Sequence, residues 1–274
     1  MDDLAAFNQE RWDALARANI AFARPWLDLD PAVARERLDP EGRMRDPAGK
    51  EVLCLACGGG QQSAALALLG ARVTVLDLSE TMLERDRATA RHYGLEIRAV
   101  QGDMRDLSGF SDDGFDLVYH AHSINFVPDV TPVYDEVRRV IRPGGQYRMS
   151  CNNPFSWGVR EDEWDERGYP VRGPYVDGAE WEPGRPNVWP VWDAAGTRAE
   201  IDGPREFRHI LSTLVNGLIA RGFVIDGIYE NTVAGPGDAA SPAADPEPGT
   251  WDHFQTVMPA YLILWTTWRP HVRR

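Results

Sequence analysis

The chain has 274 residues, of which 43% are hydrophobic and 26% are charged, and its formal net charge is -13. This composition is typical of an ordinary globular protein, and the negative charge disfavours nucleic acid or an anionic membrane surface as the main partner. No apolar run has the length needed to span a membrane, and the acidic N-terminus lacks the pattern of a secretory signal.

The N-terminal part of the chain is predicted to be helical. Apolar positions at helical spacing between Asp2 and about Leu27 indicate one or two amphipathic helices, and Pro31–Leu38 indicates another short one. A segment rich in proline and glycine follows, with the composition of a linker. We therefore expect residues 1–48 to form an N-terminal helical cap.

Strands and helices alternate after Lys50. The predicted strands are Glu51–Ala56, Arg72–Leu78, Glu96–Val100, Phe115–His120 and Gln146–Cys151, and the predicted helices are Gln62–Leu69, Ser79–Tyr93 and Thr131–Ile141. Ser79 is the expected N-cap of the second of these helices, and Gly94 is expected to end it. This alternation predicts right-handed crossovers and a mainly parallel sheet over residues 49–151.

The alternation stops after the fifth strand. Residues 152–204 contain the tryptophans Trp157, Trp164, Trp181, Trp189 and Trp192 and several prolines. We expect a loop or short hairpin inserted over one end of the sheet, as a roof for a second ligand. Residues 205–274 are predicted to contain a long amphipathic helix at Arg205–Arg221 and strands at Phe223–Tyr229 and Tyr261–Trp268, joined by a mobile low-complexity segment at 234–249.

The stretch V-L-C-L-A-C-G-G-G-Q-Q-S, residues 52–63, predicts a glycine turn shaped around a ligand. A phosphate-binding loop requires Gly-Lys-Ser/Thr, and no lysine follows Gly60. The dinucleotide fingerprint requires a third glycine at position 63, where Ser63 stands. Both departures favour a sulfonium nucleoside over a nucleoside triphosphate or a dinucleotide.

The residues just after each strand are the candidate ligand-binding residues, because ligands of open parallel sheets bind at the carboxyl ends of the strands. Asp77 ends the second strand, where a carboxylate can accept hydrogen bonds from both ribose hydroxyls. The G-D-M segment after the third strand offers a carboxylate and a backbone N–H for adenine, and Met82 can pack on the adenine face. The candidate cofactor-binding residues are Ala56, Cys57, Gly58, Gly60, Asp77, Leu78, Met82, Gly102, Asp103, Met104 and His120.

Several motifs resemble those of class I S-adenosylmethionine-dependent methyltransferases. V-L-C-L-A-C-G-G-G is similar to the V-L-D-L-G-C-G-T-G loop of this family, and V-T-V-L-D-L-S-E-T-M-L and V-Q-G-D-M-R-D-L resemble its second-strand and third-strand segments. F-D-L-V-Y-H-A-H-S-I-N-F-V-P-D and V-R-R-V-I-R-P-G-G resemble the fourth strand and the approach to the fifth. The resemblance covers roughly residues 50 to 150 and is nearest to a small-molecule branch that includes quinone-biosynthesis-type enzymes.

The resemblance implies a single Rossmann-like α/β domain, with a seven-stranded mainly parallel sheet and helices on both faces. It implies S-adenosyl-L-methionine as cofactor, S-adenosyl-L-homocysteine as product, and in-line methyl transfer to a small molecule in the cytoplasm. Two positions depart from the family. Cys54 replaces the usual acid of the first strand, so another polar group takes over its role or the affinity falls, and Ala56 replaces the first loop glycine, a mild change where φ is negative.

His120, His122 and Asn125 are the catalytic candidates. The two histidines alternate past the fourth strand and therefore point to opposite sides, and we favour His122 as the one that faces the acceptor. Either could act as a general base where the acceptor arrives protonated. Asn125 could orient an acceptor oxygen, although it also suits a cap or turn.

Other functions remain open at the level of sequence. A non-catalytic protein that binds S-adenosylmethionine is compatible with Cys54, and an NAD-dependent oxidoreductase is disfavoured by Ser63 and the G-D-M segment. A nucleic-acid methyltransferase is disfavoured by the acidic charge and by the place of N-N-P-F after the fifth strand rather than the fourth. Cys54 and Cys57 form a C-x-x-C, but no further ligands at zinc spacing accompany them, so we expect no metal site.

Overall fold

The computed structural model describes residues 1–171, 174–181, 187–192, 198–231 and 246–270. Its strands are β1 (Glu51–Leu55), β2 (Arg72–Asp77), β3 (Ile97–Gln101), β4 (Phe115–His120), β5 (Ile141–Asn152), β6 (Val188–Trp192), β7 (Arg198–Asp202), β8 (Phe223–Asn231) and β9 (Tyr261–Trp268). Its helices are α1 (Asp3–Arg17), α2 (Pro31–Leu38), α3 (Gln62–Leu68), α4 (Glu80–Tyr93), α5 (Thr131–Val140), α6 (Leu211–Ala220) and α7 (Trp251–Val257). Short 3-10 helices lie at Ala21–Ala23, Ser123–Phe126 and Glu161–Glu163.

The central sheet has seven strands in the order β3-β2-β1-β4-β5-β9-β8. The first five strands run parallel, whereas β9 lies antiparallel between β5 and β8. The predicted Rossmann-like, mainly parallel sheet is therefore confirmed. The chain moves outward from β1 to β3 and then returns to β4, which leaves a crevice at the carboxyl ends of β1 and β4, where such sheets bind their ligands.

Both faces of the sheet are covered by helices, and β1 shows how the sequence produces this. Leu53 and Leu55 belong to a core cluster that includes side chains of α5 and α6, whereas Val52 and Cys54 belong to a cluster that includes side chains of α2 and α3. Successive strand residues point to opposite faces, so a strand buried on both faces needs an uninterrupted apolar run. The V-L-C-L run of β1 meets that need.

The predicted boundaries of α4 are confirmed. The Ser79 hydroxyl accepts a hydrogen bond from the Met82 N–H at the N-terminus, and Gly94 adopts a left-handed φ of 66° at the C-terminus. The first turn of α4 lies next to the glycine loop after β1, since a Cβ atom built at Gly58 would lie 2.6 Å from the Met82 Cβ.

The long helix predicted at Arg205–Arg221 is wrong at its N-terminal end, because α6 begins only at Leu211. The residues before it are extended. The Phe207 N–H donates to the Asn125 carbonyl, and the Arg208 N–H donates to the Ala179 carbonyl. These pairings to two different segments outweigh the helical periodicity, and they turn Glu206 toward the crevice. The sequence also gave no prediction of α7.

The segment that follows β5 contains the antiparallel ribbon of β6 and β7. Part of the predicted low-complexity connection, residues 234–245, lies outside the described residues, as does the side chain of Trp192. Within the described part of the chain, no helix combines the length and the apolar character that crossing a membrane requires.

The N-terminal segment is attached to the sheet domain by Arg85 of α4. Its guanidinium donates to the carbonyl oxygens of Ala16 and Ala23, and to the Asn19 side-chain oxygen at 3.0 Å. The neighbouring arginine on the same helix, Arg87, instead forms exposed ion pairs with acidic side chains of α4.

We expect Arg85→Met to lower the free energy of unfolding by about 2 kcal/mol, because it removes charged hydrogen bonds to three partners. Arg87→Met is the matched control, and we expect it to cost less than about 1 kcal/mol, because exposed ion pairs contribute little. Denaturant unfolding of both variants checks this. An equal loss in the two variants would contradict the role given to Arg85.

Candidate functional site

A cavity of about 880 Å³ opens at the carboxyl ends of the parallel strands. It is lined by Ala56, Cys57 and Gly58 after β1, by Asp77, Leu78 and Met82 after β2, by Gly102 and Met104 after β3, and by His122 after β4. Nine of the sequence-predicted site residues therefore meet in one cavity. Gly60, Asp103, His120 and Asn125 are not among the residues that line it.

Two buried carboxylates hold the glycine loop. The Gly58 N–H donates to Asp77 at 2.9 Å, and the N–H groups of Gly59 and Gly60 donate to Asp86 at 3.0 and 3.1 Å. Asp86 also accepts a hydrogen bond from the Ser63 hydroxyl. Consecutive N–H groups of the loop are thus fixed by side chains, which sets the shape of the loop before any ligand binds.

Side chains larger than hydrogen do not fit at Gly58 or Gly60. A Cβ atom at Gly58 would lie 2.6 Å from the Met82 Cβ and 2.9 Å from the Asp77 carboxylate. Gly60 has a φ of +77°, and a Cβ atom there would collide with the Thr89 hydroxyl. Gly60 therefore serves the packing of the loop against α4 rather than the cavity, which corrects its predicted place in the cofactor site.

Burial raises the pKa of both carboxylates above the ordinary range. The pKa of Asp77 rises to about 6, although backbone hydrogen bonds from Ser79 and Gly58 oppose the shift. The pKa of Asp86 rises to about 7 through burial, against hydrogen bonds from Ser63, Gly59 and Gly60. Asp77 lines the cavity and can accept further hydrogen bonds, whereas Asp86 is fully buried and acts on the loop alone.

Ala56 has a φ of +49°. Its replacement of the first loop glycine is therefore not the mild change that was expected for a negative φ. A non-glycine residue in this left-handed region carries a strain of roughly 1 kcal/mol. The backbone of His122 is also left-handed, with a φ of 61°. The two loops that follow the neighbouring strands β1 and β4 therefore both contain strained residues, as functional sites often do.

The cysteines serve packing. Cys54 is fully buried in the sheet core, and the Cys57 thiol lies 3.1 Å from the Leu55 carbonyl oxygen and 3.3 Å from that of Tyr119. Burial raises the pKa of Cys57 to about 12, so its thiol is not reactive at neutral pH. Among the described residues, no cluster of histidine, cysteine or acidic side chains could hold a metal ion.

His122 lies at the cavity wall, and Asn125 supports it. The Asn125 amide nitrogen lies 3.3 Å from His122 Nε2 and donates to the His122 carbonyl at 3.1 Å. Burial and the nearby Arg148 charge lower the pKa of His122 to about 4, so its ring is neutral at physiological pH. Asn125 is buried and is not among the residues that line the cavity, so its contacts are with His122 rather than with the cavity space.

His120 is a core residue, contrary to its predicted roles in catalysis and cofactor binding. It is fully buried, and its Nδ1 lies 2.9 Å from the Tyr147 hydroxyl. Burial lowers its pKa to about 3. The alternation along β4 did separate the two histidines as predicted, and His122 is the one that faces the cavity.

Asp103 is engaged by Arg105 instead of facing the cavity. The Arg105 guanidinium lies 2.6 Å from the Asp103 carboxylate and 2.7 Å from that of Asp2. Asp103 also accepts a hydrogen bond from the Arg105 N–H, which fixes the turn after β3. Its neighbours Gly102 and Met104 line the cavity.

Arg148 is a site residue that the sequence analysis missed. It is buried in β5, lines the cavity, and lies over the Tyr119 ring at 4.7 Å. One of its terminal nitrogens donates to the Ser150 hydroxyl at 2.8 Å, and its Nε has no hydrogen-bond partner among the described residues. A charged residue inside the apolar strand Y-R-M-S was the signal in the sequence.

The far part of the cavity is built by segments outside the parallel sheet. Glu206, also missed from sequence, lines it and accepts hydrogen bonds from the side-chain nitrogens of Asn187, Asn152 and Trp189. Burial raises the pKa of Glu206 against these three hydrogen bonds. Trp157, Trp181 and Trp251 line the same part.

Comparisons of the sequence with known proteins give matches to methyltransferases. A family model described as a methyltransferase domain matches residues 53–149. The protein named "Uncharacterized methyltransferase YbaJ" of Bacillus subtilis strain 168 is 38% identical over 186 residues, which span 67% of this chain and 69% of that protein. A ubiquinone biosynthesis O-methyltransferase of Xanthomonas oryzae pv. oryzae is 35% identical over 158 residues, which span 54% of this chain and 62% of that enzyme.

The fold is also found among solved structures. An S-adenosylmethionine dependent methyltransferase from Mesorhizobium loti superposes with a TM-score of 0.62. The match covers 88% of this chain and 100% of that one, at 24% sequence identity. At this level of identity, the likeness supports the fold.

The buried Asp86 predicts how stability depends on pH. Its folded pKa of about 7 lies above the ordinary value of 3.8, so the folded protein holds this proton more tightly than the unfolded chain. The resulting stabilisation is complete below about pH 4 and is lost as the pH rises to about 7. Between pH 5 and pH 8, we expect the free energy of unfolding of the wild type to fall by about 2–3 kcal/mol more than that of Asp86→Asn.

Denaturant unfolding of both proteins at the two pH values measures this difference. The other titrating groups are common to both proteins, so their contributions to the pH dependence largely cancel when the two profiles are subtracted. Parallel pH profiles of wild type and variant would contradict a raised pKa at Asp86.

Proposed function

We propose that this chain, which belongs to the class I S-adenosylmethionine-dependent methyltransferases and uses S-adenosylmethionine as cofactor, methylates a small-molecule acceptor by in-line displacement. The observation that carries the proposal is the continuity of the cavity. A single space runs from the glycine loop to the tryptophan-rich segment after β5. Its volume of about 880 Å³ lies in the range of small-ligand sites and leaves room for two adjacent ligands.

The residues of the glycine-loop side fit the adenosine part of the cofactor. Asp77 offers carboxylate oxygens at the end of β2, where both ribose hydroxyls can be held. The missing side chain at Gly58 leaves the loop backbone open toward Asp77 and Met82. Leu78, Met82 and Met104 provide apolar surface suited to the adenine ring.

Arg148 fits the carboxylate of the methionine part. The adenosine residues lie at the ends of β2 and β3, so the rest of an extended cofactor runs across β1 and β4 toward β5, which carries Arg148. Among the described residues, no carboxylate forms an ion pair with Arg148. This arginine is the group that we assign to the carboxylate of the methionine end.

The cofactor supplies an activated methyl group on a sulfonium sulfur, which a nucleophilic acceptor atom displaces in line. The task of the protein is therefore to align the acceptor and to exclude water, and alignment alone can lower a barrier by about 7–11 kcal/mol. His122, neutral and held by Asn125, can accept a proton from an acceptor that arrives protonated.

A small acceptor agrees with the rest of the molecule. The far part of the cavity is walled by the insertion and by α7, and the net charge of -13 is unsuited to a polyanion. The three cysteines are free, as in a reducing compartment such as the cytoplasm.

Calorimetric titrations with S-adenosylhomocysteine, 5′-methylthioadenosine and NAD test the cofactor site. Methylthioadenosine lacks the amino-acid end of the cofactor. It therefore tests the role assigned to Asp77 at the ribose separately from the role assigned to Arg148 at the carboxylate. We expect the wild type to bind both sulfur nucleosides and not NAD. Asp77→Asn should weaken both by roughly 10–100-fold, because it removes charged hydrogen bonds to the ribose.

Arg148→Met should lower the affinity for S-adenosylhomocysteine by at least about tenfold, because this nucleoside carries a carboxylate. The affinity for methylthioadenosine, which has no carboxylate, should stay within about threefold of the wild-type value. Thermal unfolding of each variant checks that the fold is kept. NAD binding, or unchanged affinities in Asp77→Asn, would contradict the proposed cofactor site. An equal loss of affinity for both nucleosides in Arg148→Met would contradict the role of that arginine.

A further inference from the structure

The acceptor part of the cavity has an unusual concentration of aromatic side chains. Trp157, Trp181 and Trp189 come from the segment after β5, and Trp251, Phe254 and Tyr261 come from α7 and β9. The rings of Trp157 and Trp181 meet edge to face, with their centroids 5.1 Å apart. Aromatic faces present negative potential, so a group of them attracts cations as well as apolar groups.

The charged side chains of this compartment are acidic. Glu161, Glu206 and Asp252 line it together with the aromatic rings. The arginines that line the cavity come from the N-terminal segment and from β5, where Arg148 is assigned to the cofactor. An anionic acceptor would therefore meet three carboxylates, whereas a cationic acceptor would meet complementary charge.

Glu206 is the carboxylate held most firmly inside the compartment. Its three hydrogen-bond donors, on Asn187, Asn152 and Trp189, are all uncharged. Its chain neighbour Arg205 is directed to Glu180, at 2.5 Å. Among the described residues, Glu206 thus has no cationic partner, although it is half-buried and a carboxylate withdrawn from water is stabilised by one.

A second, independent feature points to a bound ligand. The Ser123 side chain lines the cavity next to His122 and is only 8% exposed. Its hydroxyl has no hydrogen-bond partner among the described residues. Buried hydroxyl groups are nearly always paired, so this one is expected to find its partner on a ligand.

We infer that the acceptor is an amine that binds in its cationic form, with Glu206 as its counter-charge and the tryptophan rings around it. Before methyl transfer, the ammonium group passes a proton to the neutral His122, and the nitrogen lone pair that this frees then displaces the methyl group from the sulfonium sulfur. This inference rests on the proposed function and specifies its substrate class. The three neutral hydrogen bonds hold the Glu206 carboxylate in place, and the Ser123 hydroxyl can pair with a polar atom of the acceptor. A cation beside Glu206 would also offset the effect of burial, which raises the pKa of that carboxyl.

The test compares three probes of one shape and different charge. The protein is saturated with S-adenosylhomocysteine and titrated with 2-phenylethylamine, 2-phenylethanol and 3-phenylpropanoate. We expect the amine to bind at least about tenfold more tightly than the alcohol and the carboxylate, since cation–π contacts and a carboxylate both favour it. In Glu206→Gln, this preference should fall to within about threefold.

Three controls separate the possible causes. Glu180→Gln removes a nearby carboxylate that does not line the cavity, and we expect it to keep the amine preference. Glu206→Asp keeps the charge and should keep part of the preference. Affinity for S-adenosylhomocysteine, measured in every variant, shows whether the fold and the cofactor site are intact.

The outcomes are distinct. Amine preference in the wild type that is lost in Glu206→Gln supports the inference. Cofactor binding without amine preference, binding of none of the probes, or a preference that survives in Glu206→Gln overturns the inference and leaves the proposed function standing. Failure of the wild type to bind S-adenosylhomocysteine overturns the proposed function itself.

Discussion

The glycine loop after β1 keeps its shape because two buried carboxylates accept its N–H groups. Asp77 binds the N–H of Gly58, and Asp86 binds those of Gly59 and Gly60. Neither carboxylate has a cationic partner among the described residues, so their hydrogen bonds to the backbone are what offset the cost of burial. The loop is thereby prepared for a ligand, at the expense of two acidic groups with raised pKa values.

The rest of the site is arranged around this loop. The Gly60 carbonyl accepts a hydrogen bond from the Trp26 N–H, and Arg85 of α4 binds Ala16 and Ala23, so the N-terminal cap is joined to the same structure. The parallel strands supply the half of the cavity that we assign to the cofactor. The segments after β5 supply the other half, and there the extended residues before α6 bring Glu206 to the cavity wall. The two halves meet at His122.

The sequence was most informative where a residue serves its own local structure. Ser79 and Gly94 bound α4 as expected, and the apolar run of β1 correctly indicated a strand buried on both faces. The sequence also placed Asp77 correctly at the cavity, because the carboxyl end of a strand in a parallel sheet follows from the topology alone. These features depend on a few neighbouring residues and on the general rules of parallel sheets.

Residues whose roles depend on distant segments were missed or misplaced. Asp86 lies on the buried face of α4, and a carboxylate among apolar positions of a helix was a sign of a special role. Its hydrogen-bond partners could not be identified, because they lie 23 to 27 residues earlier in the chain. Asp103 was assigned to the cavity, whereas it pairs with Arg105, whose guanidinium is also bound by Asp2 at the distant N-terminus. Glu206 was placed in a helix, since nothing local indicates that Asn125 and Ala179 hold its neighbours extended.

A crystal structure of the protein with bound S-adenosylhomocysteine tests the central claim, that one cavity joins a cofactor half to an acceptor half. The account predicts ribose hydroxyls within hydrogen-bond distance of Asp77, the amino-acid carboxylate at Arg148, and the sulfur facing the space between His122 and Glu206. A ligand bound away from Asp77, or a sulfur turned away from the tryptophan-lined compartment, would contradict it.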